Sequence, residues 1–141
     1  MMKSALRNLA AICLGLVVAF LLLVGVELLS AVVHPLPPGF GGTQEEMCQH
    51  VARYPQWVLG VVVPLWAFAA FLGAWTARKI GSLYASLTVG LLLFAALVLN
   101  ISMLPYPIWF KVANVLVIPI AIFAGSRKSK RQTIAGSAGV N

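Results

Sequence analysis

Apolar residues run almost unbroken from 9 to 33, a stretch of 25 residues whose one charged side chain is Glu27. A helix needs about 20 mostly apolar residues to cross a bilayer, so this run predicts a membrane span. Three more follow at 57–76, 83–103 and 107–125. The connections are unequal: a 23-residue loop at 34–56, a short basic turn at 77–82, and a Leu104-Pro105-Tyr106 link that forces the last two spans into a tight antiparallel hairpin. The pattern predicts an all-α fold, an integral membrane four-helix bundle forming a single domain over 1–125.

The long loop has its own pattern. His34-Pro35-Leu36-Pro37-Pro38-Gly39-Phe40-Gly41-Gly42 is too rich in proline and glycine for a helix and is expected to run extended. Thr43 followed by Glu46 is a capping-box signature. Beyond it, Met47 and Val51 share one helical face while Glu46, His50 and Arg53 share another. Pro55 disfavours helix at Tyr54, so a short amphipathic helix is predicted, lying on the outer membrane surface or over the mouth of the bundle.

Each span also carries a row of small residues: Ala11, Gly15 and Ala19; Ala69, Gly73 and Ala77; Ser86 and Gly90; Ala121 and Gly125. Such rows let helix backbones approach closely in lipid, where no hydrophobic force drives association. They serve contacts within one chain or in a dimer equally well. Pro64 and Pro119 each remove a helix hydrogen bond and are expected to shape their spans rather than act as hinges.

Composition agrees with this pattern. Hydrophobic residues make up 61% of the chain against 9% charged, and the mean hydropathy is +0.97, values outside the range of soluble domains. The net charge of +7 would suit nucleic acid as a partner, but the basic residues flank the apolar runs. Lys3, Arg7, Arg78, Lys79, Arg127, Lys128, Lys130 and Arg131 fall on one side of the layout, against Arg53 alone in the opposite loops. The charge therefore records topology: both termini cytoplasmic, the loop at 34–56 outside, and no nucleic-acid partner. Trp57, Tyr106 and Trp109 are expected at the outer interface, Trp75 and Tyr84 at the inner one. A secretory signal would have a core of about 7–15 residues and an A-x-A-like cleavage site. The first run is longer and lacks that site, so it is read as a retained span, with a bacterial inner (plasma) membrane as the expected location. Residues 126–141 are expected to form a disordered basic tail near anionic head groups.

The candidate chemistry begins with the polar residues inside the spans. At a rise of 1.5 Å per residue, Glu27 lies about 9 Å outward of its span's midpoint, Lys111 about 7–8 Å and Asn100 about 10 Å, with Asn114 one turn below Lys111 on the same face. An acid at that depth costs roughly 2.5–3.5 kcal/mol on insertion scales and invites a partner. Two readings follow for Glu27, Lys111, Asn100 and Asn114: a structural Glu27–Lys111 pair that fixes helix register, or a polar pocket for an ion or a head group.

In the loop, His34, Glu46 and His50 are weak metal candidates. Only Glu46 and His50 have helical four-residue spacing, so no metal and no cofactor is expected. Cys13 and Cys48 lie on opposite sides by the same rise, farther apart than the roughly 7 Å limit on Cα separation in a disulfide. No Cys-x-x-Cys, no His-Glu-x-x-His and no histidine within a span is present. Thiol-redox, metalloprotease, haem and intramembrane serine-protease chemistries therefore lack their required residues. The expectation is a non-enzymatic protein, without catalytic residues, that acts by association with lipid or another membrane protein, homo-oligomer included. The alternative is a small dimeric transporter using Glu27.

Overall fold

A computed structural model of the chain describes residues 2–127 and is all-helical over them. Its elements are α1 (Met2–Val33), α2 (Gln44–Ala52), α3 (Gln56–Ile80), α4 (Leu83–Met103) and α5 (Ile108–Ser126). Of these, α1, α3, α4 and α5 are long and apolar enough to cross a membrane. Large apolar side chains including Phe20, Leu91, Ile108, Ile120 and Phe123 remain exposed on the bundle surface, an arrangement suited to lipid rather than water. The chain is a membrane-embedded protein.

The span limits shift in two places. α1 begins seven residues before the apolar run, because nothing from Met2 to Asn8 breaks a helix; its 32 residues make it about 48 Å long. α5 ends at Ser126, so Ser126 belongs to the bundle rather than to the tail. The remainder of the predicted tail, 128–141, lies outside the described residues. α3 and α5 continue through Pro64 and Pro119 without a break.

The four spans form a rhombus. α3 and α4 pack together across its short diagonal and each touches both α1 and α5, while α1 and α5 do not pack against each other. The small-residue rows make these contacts within the chain. A methyl group added at Gly15 would come within 2.7 Å of the Gly73 carbonyl oxygen, and one at Gly73 within 2.9 Å of the Ala19 Cβ. One at Gly125 would meet the Phe71 carbonyl at 2.5 Å, and one at Gly90 would strike Ile122.

Buried hydroxyls then tie α3, α4 and α5 together. Ser86 Oγ lies 2.7 Å from the Ala74 carbonyl and 2.8 Å from Ser126 Oγ, which in turn reaches the Ile122 carbonyl at 2.8 Å. At the same end, Asn8 Oδ1 accepts from the Ser82 amide at 3.1 Å, and Arg78 Nε donates to the Ser126 carbonyl at 3.1 Å. That guanidinium satisfies a C-terminal helix carbonyl which has no partner within its own helix. This half of the molecule, with Arg7, Arg78, Lys79 and Arg127 around it, is the basic end. The other half carries α2.

Candidate functional site

At the α2 end the helix faces converge on a cavity. Leu23 and Glu27 share one face of α1, Trp66 and Ala70 one face of α3, and Leu93, Leu97 and Asn100 one face of α4, each set at three- or four-residue spacing. Together with Ala96 and with Ile118 of α5 they line a half-open groove of about 220 Å³ to which all four spans contribute, with Glu27, Ala96 and Asn100 exposed at its rim. Its walls are mainly apolar; Glu27 and Asn100 are polar.

A second cavity of about 340 Å³ lies between the bundle and α2 and shares Glu27 and Asn100 with the first. These two residues stand where the cavities meet. The second is lined from above by Gln44, Met47, His50 and Val51 of α2 and from the sides by Tyr54 and Tyr106. α2 forms as its capping box dictates: the Thr43 hydroxyl accepts from the Glu46 amide, and the Glu46 carboxylate accepts from the Thr43 amide at 3.0 Å. Gln44 Nε2 then donates to the Met103 carbonyl at 3.2 Å, near Cys48 Sγ at 3.9 Å from the same oxygen. The amphipathic helix lies over the bundle mouth.

The two tyrosines are held in the neutral phenol form. Burial pushes the pKa of Tyr54 and of Tyr106 upward, and the Glu27 carboxylate adds to the shift at both. The Ser30 side chain near Tyr54 partly opposes the shift there. Tyr106 is half-buried at the span end rather than exposed as Trp57 and Trp109 are. Between Pro105 and Pro107 its ring turns inward, 4.7 Å from Phe110 and edge-on to Trp66 at 6.5 Å. The Trp66 Nε1–H is buried without an acceptor. Trp57 and Trp109 do lie exposed at this end, and Trp109 Nε1 donates to Gln56 Oε1 at 2.7 Å.

Matched depth brings together only half of the predicted polar cluster. Glu27 and Asn100 line the same two cavities. Lys111 is half-buried on α5 and lines neither cavity, and no ion pair joins it to Glu27. Their helices are on opposite corners of the rhombus, so equal height does not make them neighbours. Asn114 is fully buried, donates from Nδ2 to the Phe110 carbonyl at 2.9 Å, and leaves Oδ1 without a partner. The Glu27–Lys111 pair is therefore replaced by a Glu27–Asn100 junction. Sequence reasoning missed Tyr54, Trp66 and Tyr106. The available signals were a tryptophan inside a span and two tyrosines locked next to prolines at span ends.

His34 and His50 do come together, with rings stacked at 4.4 Å and His34 Nε2 3.3 Å from the His50 carbonyl oxygen. Tyr54 and Phe40 pack around them. Burial, and then the charge of His34, lowers the His50 pKa from its ordinary value. Glu46 shares a third cavity of about 330 Å³ with both rings, but its carboxylate is engaged at the loop. Hydrogen bonds from Thr43 first, then from Gly41, hold it below the usual carboxylate range. Among the described residues no group of three His, Cys, Asp or Glu side chains is placed to hold a metal ion. Both cysteines are free. Comparison with protein-family models, curated protein sequences and solved structures yields no match.

Proposed function

We propose that this is a non-enzymatic membrane protein that acts by association with lipid, holding a lipid or another amphiphile in the cavity beneath α2. The observation that carries the reading is the junction of Glu27 and Asn100. A polar group there opens on one side to the space under α2 and on the other to an apolar groove among the four spans. A molecule with a polar head and an apolar body matches that division. The groove compares in size with the engineered apolar cavity of about 150 Å³ that takes up benzene. Both termini are cytoplasmic in this reading and α2 faces outward, because the basic end gathers the Lys and Arg residues. A bacterial inner membrane fits the same arrangement.

The unpaired Glu27 carboxylate favours the transporter as a second reading. Close small-residue contacts at the basic half give the binding protein the stronger support, since a carried solute would have to pass between them.

Native mass spectrometry of the purified protein in a mild neutral detergent tests the proposal. The wild type is expected to retain bound amphiphile, and Ala96→Trp, which sets a large ring at the rim of the apolar groove, to lose it. Equal retention by both would remove the proposal. Proton or solute flux in proteoliposomes that depends on Glu27 would favour the transporter instead.

A further inference from the structure

We infer that the head group held at this junction is an ammonium ion carried on an alkyl chain. This rests on the cavity being an amphiphile site, and adds the chemical class of its occupant. Three observations point the same way. First, Glu27 is an acid without a cationic partner among the described residues. The nearest basic candidate by depth, Lys111, belongs to a helix that does not touch α1. A carboxylate in surroundings this apolar is stabilised by an opposite charge, and a bound cation supplies one.

Second, aromatic rings from α3 and from two of the links between helices line the same cavities as that carboxylate. Tyr54 and Tyr106 line the upper cavity with Glu27, and Trp66 lines the lower one with it. Tyrosine and tryptophan faces around an acid are the environment that selects an ammonium group, quaternary ones especially, through cation–π attraction. Phosphate, sulfate or carboxylate head groups find no lysine or arginine in either lining. The hard-cation alternative fares poorly because it needs several oxygen ligands, and Glu27 is the only carboxylate in the two linings.

Third, the donor set has a place for an oxygen beside the cation. The Trp66 Nε1–H is buried without an acceptor, and the Asn100 amide stands at the junction. Below them Leu23, Ala70, Leu93 and Leu97 form an apolar channel for a chain. An ammonium head of this kind comes from two sources: the ethanolamine or choline head of a membrane phospholipid, or a single-chain amine. The lipid supplies the extra oxygen acceptors and the simple amine does not.

The experiment uses the full chain in neutral detergent with dodecylamine, dodecyltrimethylammonium, dodecanol and dodecanoate as probes, read by native mass spectrometry. Both cationic probes are expected to bind at least about tenfold more tightly than dodecanoate, a preference that Glu27→Gln abolishes. Trp66→Leu and Tyr106→Leu are expected to weaken dodecyltrimethylammonium more than dodecanol, which keeps the test decisive if Glu27→Gln does not fold. In a parallel arm, retention of phosphatidylethanolamine or phosphatidylcholine over phosphatidylglycerol identifies a lipid as the source, and retention of the alkylamines alone identifies a single-chain amine. Equal binding of all four probes by the wild type would overturn the ammonium assignment and leave the amphiphile site standing. Failure to retain any probe, or retention unchanged by Ala96→Trp, would overturn both.

Discussion

Gly15, Gly73, Gly81, Gly90 and Gly125 each face a neighbour that a methyl group would crowd, whereas Gly25 and Gly60 are exposed on the outside of the bundle and meet nothing. The first five lie from the middle of the bundle to the basic end; the other two lie toward α2. One half of the protein is closed by backbone contact between small residues and by buried hydroxyls. The other packs larger side chains, Phe110, Leu59 and Val62 among them, and leaves a half-open groove beside Glu27. The same four helices thus hold a closed base and a grooved top. The unpaired acid is in the grooved half, where a ligand can reach it.

The largest effect is expected from crowding the base. Gly73→Leu would drive a side chain into Ala19 and the Gly15 backbone, with a loss of about 3 kcal/mol or more. Thermal unfolding in detergent would register it, and an unchanged melting temperature would show that the two helices are not in contact. Ser86→Ala removes the hydroxyl that links α4 to α3 and α5, at a cost of about 1 kcal/mol in the same assay. A neutral result would mean the hydroxyl tie does not form.

The grooved half is expected to respond to pH through α2. Burial lowers the His50 pKa below the ordinary 6.5, so the docked loop prefers the neutral ring. Docking is then complete above about pH 6.5 and weakens as pH falls through the lowered value, because the undocked ring binds the proton more readily. A spin label at position 45 should gain mobility on acidification, and His50→Phe should remove the response. A label insensitive to acid in the wild type would contradict the docking. The smallest effect, and of opposite sign, is expected at the open glycines. Gly25→Ala and Gly60→Ala should stabilise by about 0.5–1 kcal/mol through helix propensity alone, and a loss at either would mean that a neighbour covers that outer face.

Much of this was legible in the residues. The spans, the capping box at Thr43 and Glu46, and the small-residue rows followed from local rules, which a helix obeys whatever its neighbours do. The partnership of Glu27 was not legible. Rise per residue fixes depth but not the order of helices around the bundle, and that order separates Glu27 from Lys111. The inward turn of Tyr106 was hidden for the opposite reason: its neighbours Pro105 and Pro107 fix the backbone, while its ring direction depends on Phe110 and Trp66. The His34–His50 stack likewise depends on the path of a loop too rich in proline and glycine to be read from periodicity.

An open site requires Glu27 to stand free of Lys111, and a double-mutant cycle tests that separation directly. Stability is measured for Glu27→Gln, Lys111→Met and the double variant in the same detergent. If α1 and α5 are on opposite corners, the two effects add to within about 0.5 kcal/mol. A coupling of about 1 kcal/mol or more, with the double variant recovering what the single ones lose, would pair the acid with the lysine and close the site.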